Sequence, residues 1–265
     1  MFKNYFKTAW RNLIRGKVYS LINILGLAAG MAVAMLIAFW IWDEITYDEY
    51  HSNHNQLAQV MTTFIDNDGK MATEPVVCMP IGNELRSKYG SDFKNVSMAS
   101  WNFGHVLAVG DKKISEQGMW VESNFPAMFS LKIFMGNIDA LSDPSSILIN
   151  ASLAKTLFGN AVPVNKMIKL DNKDIYKVGG VFEDLPNNTT LQHSKYFLPW
   201  KKYITTEQWL KDAATQWNNH SWQVFVQVAD NINMEQETKK IKDVVMLYKN
   251  EKTEGKEQAS LFPMD

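Results

Sequence analysis

The sequence predicts an α+β protein with one N-terminal transmembrane helix followed by a mixed domain of strands and helices. Three observations carry this. Leu21–Trp42 is a run of twenty-two uncharged residues. The charges on either side of it differ in sign. Beyond it, strand-like and helix-like patterns alternate between short turn signals, with hairpins among them, which is the signature of α+β rather than of a parallel α/β sheet.

Phe2–Lys17 comes first and reads as an amphipathic helix. Lys3, Lys7, Arg11 and Arg15 fall every four residues into one stripe, beside an apolar face of Phe2, Phe6, Ala9, Trp10, Leu13 and Ile14. A basic stripe beside an aromatic face describes a helix lying in the membrane interface. The alternative is a solvated extension whose charges only set topology.

The apolar run itself would be about 33 Å long as a helix, enough to cross a hydrocarbon core of about 30 Å. Residues 1–20 hold Lys3, Lys7, Arg11, Arg15 and Lys17 and no acid, whereas Asp43, Glu44, Asp48 and Glu49 follow the run. The positive-inside rule therefore predicts a cytoplasmic N-terminus, with residues 43–265 outside. Trp40 and Trp42 stand where an aromatic belt anchors the outer interface. Ala32-Val33-Ala34 imitates a leader cleavage site, but Met35–Trp42 continues apolar beyond it, which favours a retained span. Gly26, Gly30, Ala34 and Ala38 form a small-residue line that would let another helix approach closely. Asn23 is the one strongly polar residue of the run. It is either a contact between helices or a hydrated group near the inner headgroups.

The remainder has 22 basic and 28 acidic residues, a net charge of −6, which gives it no attraction for nucleic acid. Cys78 is the only cysteine, so no intrachain disulfide forms, and it reads as a small buried hydrophobe. Strands are predicted at 56–65, 96–101, 105–109, 112–117, 119–121, 146–149, 166–170, 174–183, 195–198, 222–228 and 259–262. Helices are predicted at 80–89, at 125–129 behind a Ser123-Asn124 cap, at 151–158 between Asn150 and Gly159, at 206–214 and at 233–248. Asp171-Asn172-Lys173 is the turn of a hairpin. The six tryptophans beyond the span, Trp101, Trp120, Trp200, Trp209, Trp217 and Trp222, are mostly core candidates.

No GxxxxGK[ST] phosphate loop occurs. His51 and His54 form HxxH without the glutamate of a zincin, so surface histidines are the simpler reading. Glu183 and Asp184 are neighbours in a strand-like run and point to opposite faces. Ser123, Ser146 and Ser152 lack nucleophile-elbow surroundings. The expectation is a protein without catalytic, cofactor-binding or metal-binding residues.

Several blocks carry a family resemblance. FKTAWRNL at Phe6–Leu13, followed by INILGLAAG at Ile22–Gly30, resembles the opening of MacB/FtsX-type ABC transporter permeases. DEITYDEYH at Asp43–His51 resembles the segment after the first span in Bacteroidetes-type members. ILINASLAKTLFGN at Ile147–Asn160 and YKVGGVFEDLPNN at Tyr176–Asn188 resemble the MacB-like periplasmic core domain. One departure is Asn165, where the family pattern has glycine; after glycine, asparagine is the residue that best tolerates the same left-handed turn.

The resemblance implies three parts: an interfacial helix at 1–20, a transmembrane helix at 21–42 and a periplasmic domain at 43–265. That domain would combine a Porter-like part with a β-rich Sabre-like insertion near 100–190. It further implies the first portion of a longer permease in a bacterial inner membrane, with ATP hydrolysed on a separate ABC ATPase subunit. Other implied partners are a second or homologous permease, a periplasmic adaptor and membrane lipids. Closure of the ATPase would move the span, and the outer domain would follow. A membrane-anchored sensor or ligand-binding domain shares the layout of one span and an outer domain, and an anchored envelope hydrolase would need catalytic signatures that the chain lacks.

Overall fold

An apolar run broken only by Asn23 favours a helix that has no wet face, and the structure has one. A computed structural model describes residues 2–66, 68–249 and 255–264. It divides into two units, Met1–Thr46 and Tyr47–Asp265. The first holds α1 (Phe2–Arg15) and α2 (Lys17–Ile45). At 29 residues α2 is about 44 Å long, and none of its residues is buried. It outruns the predicted span by four residues at its start and three at its end, because helical hydrogen bonding does not stop where hydropathy does. Among the described residues it is the one helix long and apolar enough to cross a membrane.

The second unit opens with β1 (Leu57–Ile65), β2 (Met71–Glu74), β3 (Val77–Cys78), α3 (Pro80–Lys88), β4 (Phe93–Ala99), β5 (Phe103–Val109) and β6 (Lys112–Val121). There follow α4 (Phe125–Met128), β7 (Ile133–Gly136), β8 (Ser146–Asn150), α5 (Ala151–Phe158), β9 (Met167–Leu170) and β10 (Asp174–Phe182). The last elements are β11 (Tyr196–Pro199), α6 (Trp200–Thr206), α7 (Gln208–Ala213), β12 (His220–Val228), α8 (Met234–Ile241) and β13 (Lys256–Pro263).

The strands join one sheet whose order is β11-β8-β10-β9-β5-β6-β4-β12-β1-β13. Because β11 also pairs with β6, in parallel from Tyr196↔Gly118 to Pro199↔Val121, six strands drawn from Phe103–Pro199 close on themselves. Closure removes the exposed edges that an open sheet would carry. The remaining β4, β12, β1 and β13 form an antiparallel wing, attached through Ala99↔Val121. Leu107, Ile147, Ile149, Ile168, Val178 and Leu198 belong to a core that also takes in Val224, Val226 and Leu261 of the wing.

Local signals behave as their chemistry requires at several points. Asn150 caps α5 by accepting from the Leu153 amide, and Gly159 ends it at φ +61°. Asn165 takes the left-handed conformation at φ +66°, in the turn where the family pattern has glycine.

Other expectations need correction. The two strands predicted at 112–117 and 119–121 are one strand, β6. Gly118 is not a break but a window: a Cβ there would lie 2.4 Å from the Tyr196 ring of β11. The helix predicted at 233–248 ends at Ile241, because the Lys242 carbonyl accepts from Ala259 of β13 and turns replace the helix. The helical segment at 206–214 is split between α6 and α7 by extended Glu207. Asn124 does not cap α4 with its side chain, which donates to Asn95 and Val96 of β4 instead. The strands β2 and β7 carry no strand signal in the sequence, because their mostly exposed side chains show no alternation.

Candidate functional site

Two residues separate the end of α2 from Asp48, where a cluster of buried polar groups begins. Asp48 sits at φ +59° and is 1 % exposed. Its Oδ1 lies 2.5 Å from Thr189 Oγ1 and accepts from the Thr190 amide at 2.8 Å. Its Oδ2 accepts from Thr190 Oγ1 at 2.6 Å, and its own amide donates to the Asn188 carbonyl at 2.9 Å. Three bonds to the side chain and one from its amide fasten Asp48 to Asn188–Thr190 in the loop after β10.

His51 adds a second fastening. It is fully buried, with Nδ1 at 2.5 Å from the Phe129 carbonyl and Nε2 at 3.0 Å from Thr189 Oγ1. Its ring meets Tyr50 and Phe129 edge-on. Burial pushes the imidazole pKa down, opposed by the Phe129 carbonyl and Asp48. Asn53 extends the cluster by donating to the Met128 carbonyl and accepting from Ser130 Oγ. The segment Asp48–Asn53 is therefore clasped by two separate pieces of the second unit, residues 128–130 and residues 188–190.

This corrects the surface reading of the histidines. His51 and His54 do not share a helix face, and His51 serves the interior. Among the described residues no group of His, Cys, Asp or Glu could hold a metal ion. Asp184 accepts from Asn150, the Ser152 amide and Ser152 Oγ, whereas Glu183 pairs with Lys132 at 3.7 Å, so the two carboxylates serve different partners. Ser146 is buried in β8, and its hydroxyl faces Asp143. Cys78 is fully buried, and burial pushes its thiol up to about 12. Trp120, Trp200 and Trp222 lie in the core, Trp101 and Trp217 are half-buried, and Trp209 is exposed.

In the first unit, Lys3, Lys7, Arg11 and Arg15 lie exposed along α1, and Trp10 stacks on Phe6 at 6.5 Å between centroids. On α2, Gly26, Gly30, Ala34 and Ala38 are exposed, with no atom within 4 Å of a Cβ built on either glycine. Asn23 lines a cleft between α1 and α2 with Ala9, Asn12, Leu13, Ser20 and Leu27. Trp40 and Trp42 are exposed near the end of α2. Sequence reasoning missed Asp48, Thr189 and Thr190. The available signal was the family-like block Asp43–His51, whose charged and aromatic residues have no hydropathy pattern to explain them.

Comparison with known proteins follows the same outline. The profile of the MacB-like periplasmic core domain matches residues 20–244. No curated protein matches the chain. Among solved structures, a domain of a Porphyromonas gingivalis protein described as a permease superposes with a TM-score of 0.68 at 19% identity, covering 80% of this chain and 91% of that one. The periplasmic region of MacB from Actinobacillus actinomycetemcomitans gives 0.55 at 18% identity, with coverage of 78% and 89%. The extracellular domain of the ABC-type transporter YknZ from Gram-positive bacteria gives 0.53 at 15% identity, with coverage of 78% and 99%.

Proposed function

The chain belongs to the MacB-like periplasmic core domain family, a family of ABC-transporter permeases, and from that premise we propose that it is a non-catalytic permease part coupling ATP hydrolysis on a separate subunit to work in the envelope. The observation that carries the proposal is the clasp. Only two residues lie between Ile45, the last of α2, and Asp48. Two or three extended residues reach at most about 10 Å, so a displacement of the span's outer end must soon load the Asp48–Thr189–Thr190 bonds. Such an arrangement suits transmission of force better than a flexible tether, which would absorb the motion.

In this reading α1 lies at the cytoplasmic interface of the inner membrane, its four cations toward anionic headgroups and Trp10 toward the acyl boundary. The line Gly26, Gly30, Ala34, Ala38 packs against a further span, whether of this permease, a second copy or a homologous one. Asn23 contacts a helix near the inner side, Trp40 and Trp42 anchor the outer side, and residues 43–265 are periplasmic. ATP binds an ABC ATPase on the cytoplasmic side, and a periplasmic adaptor is a partner for the outer unit. No catalytic, cofactor or metal role is assigned to this chain. Support comes from the family match, the charge asymmetry across α2 and its wholly exposed apolar surface.

Affinity purification of the full-length protein from native membranes, followed by mass spectrometry, tests this. Recovery of a small ABC ATPase is expected. Recovery of a histidine kinase or response regulator without an ATPase would replace the proposal with the sensor reading.

A further inference from the structure

The hydrogen bonds of the clasp can be counted, and the count does not close for the ordinary charge states. Three contacts lie in series: Phe129 O to His51 Nδ1 at 2.5 Å, His51 Nε2 to Thr189 Oγ1 at 3.0 Å, and Thr189 Oγ1 to Asp48 Oδ1 at 2.5 Å. A carbonyl only accepts, so Nδ1 carries a hydrogen. Thr189 has one hydroxyl hydrogen for two neighbours. With a neutral imidazole and an ionised carboxylate, both of those neighbours can only accept, and one contact is left with lone pairs facing each other.

One additional proton closes the chain in two ways. Either His51 is an imidazolium that donates to Thr189, which donates to the Asp48 carboxylate. Or Asp48 is a carboxylic acid that donates to Thr189, which donates to the neutral imidazole. The two differ only by the Nε2 proton moving to the hydroxyl while the hydroxyl proton moves to Asp48, so they have the same composition and net charge.

Charge balance points the same way. The His51 and Asp48 side chains are 0% and 2% exposed, with 3.9 Å between Nε2 and Oδ1. A lone carboxylate in such a place is costly, and a neutral pair is far less so. The other ionisable groups facing the pair do not supply the balance. His54 lies on the same segment and acts against a charged His51. Lys132, after α4, stands over the Tyr50 ring at 4.9 Å and pairs with Glu183, after β10; both are about half exposed. The Tyr50 phenol is pushed up, first by burial and then by Glu183, and stays neutral.

We propose that the Asp48–Thr189–His51 relay holds one proton in the folded protein at neutral pH, and that loss of this proton loosens the clasp. The sign of the pH effect follows. The relay retains a proton that the opened segment gives up near the ordinary imidazole value of about 6.5. Between the ordinary carboxylate and imidazole values, about 3.9 and 6.5, opening exchanges no net proton; above about 6.5 opening releases the relay proton, so clasp stability declines with pH until the relay itself loses the proton. The consequence for force transmission rests on the coupling role above; the proton count does not.

The test uses the full chain in lipid nanodiscs with 15N-labelled histidine and 13C-labelled aspartate, with His51→Gln assigning the ring signal. At pH 7 the account expects either an imidazolium with an ionised Asp48, or a neutral Nδ1–H imidazole with a protonated Asp48. A neutral imidazole with an ionised Asp48 at pH 7 would overturn it. Amide exchange gives a second reading. Protection of the Thr190 amide should fall up to about tenfold per pH unit above pH 6.5, and unchanged protection between pH 6.5 and 9 would also overturn the proposal. Neither reading involves an ATPase, so failure of the coupling role leaves this result standing.

Discussion

At the scale of single residues, the buried polar groups set the strongest expectations. Thr189 bonds both Asp48 and His51, and Thr189→Val keeps its shape while removing the hydroxyl. Two buried groups then lose a partner, and the outer domain should lose about 2–4 kcal/mol in a denaturant titration. Cys78 is the opposite case, a reactive group with nothing to react with. Its burial and raised thiol pKa predict negligible alkylation by iodoacetamide in the native protein at pH 8 and rapid alkylation after unfolding. The residue type and its lack of a neighbouring base made Cys78 legible in the sequence. His51 was not, because its partners lie 78 and 138 positions away and only the fold assembles them.

Among the elements, those with their own start and stop signals were legible and those defined by a neighbour were not. The helix α5 begins at Asn150 and stops at Gly159, and both residues act as caps do elsewhere. Asn150→Ala removes the cap and a bond to Asp184, and should cost about 1–2 kcal/mol in thermal or chemical unfolding. By contrast, the apolar spacing of 233–248 continues past the true end of α8. Val244 and Val245 are indeed buried, but in turns shaped by β13. The continuity of β6 through Gly118 also depends on a neighbour, Tyr196 of β11. Gly118→Ala should therefore destabilise the outer domain, by the roughly 1–3 kcal/mol typical of overpacking, through displacement of that ring. The helix α2 belongs with the legible elements, since hydropathy alone marks it, although its ends at Lys17 and Ile45 lie outside the apolar run.

For the whole molecule, the family resemblance in short blocks anticipated the fold class and the family, and the match over residues 20–244 bears this out. Composition could not have anticipated the closure of six strands through β11 and β6, because a pairing between Tyr196–Pro199 and Gly118–Val121 leaves no trace in either segment alone. The same distance effect hid the clasp. Its position two residues after α2 is what the proposed coupling role rests on. The decisive measurement follows from that position. With the full-length protein reconstituted beside the ABC ATPase that the proposal requires, a distance probe on the second unit is read with and without ATP and vanadate, in wild type and in Thr189→Val. The account predicts a nucleotide-dependent change in wild type that shrinks severalfold in the variant while ATP hydrolysis continues. An equal change in both, or none in wild type, would contradict it.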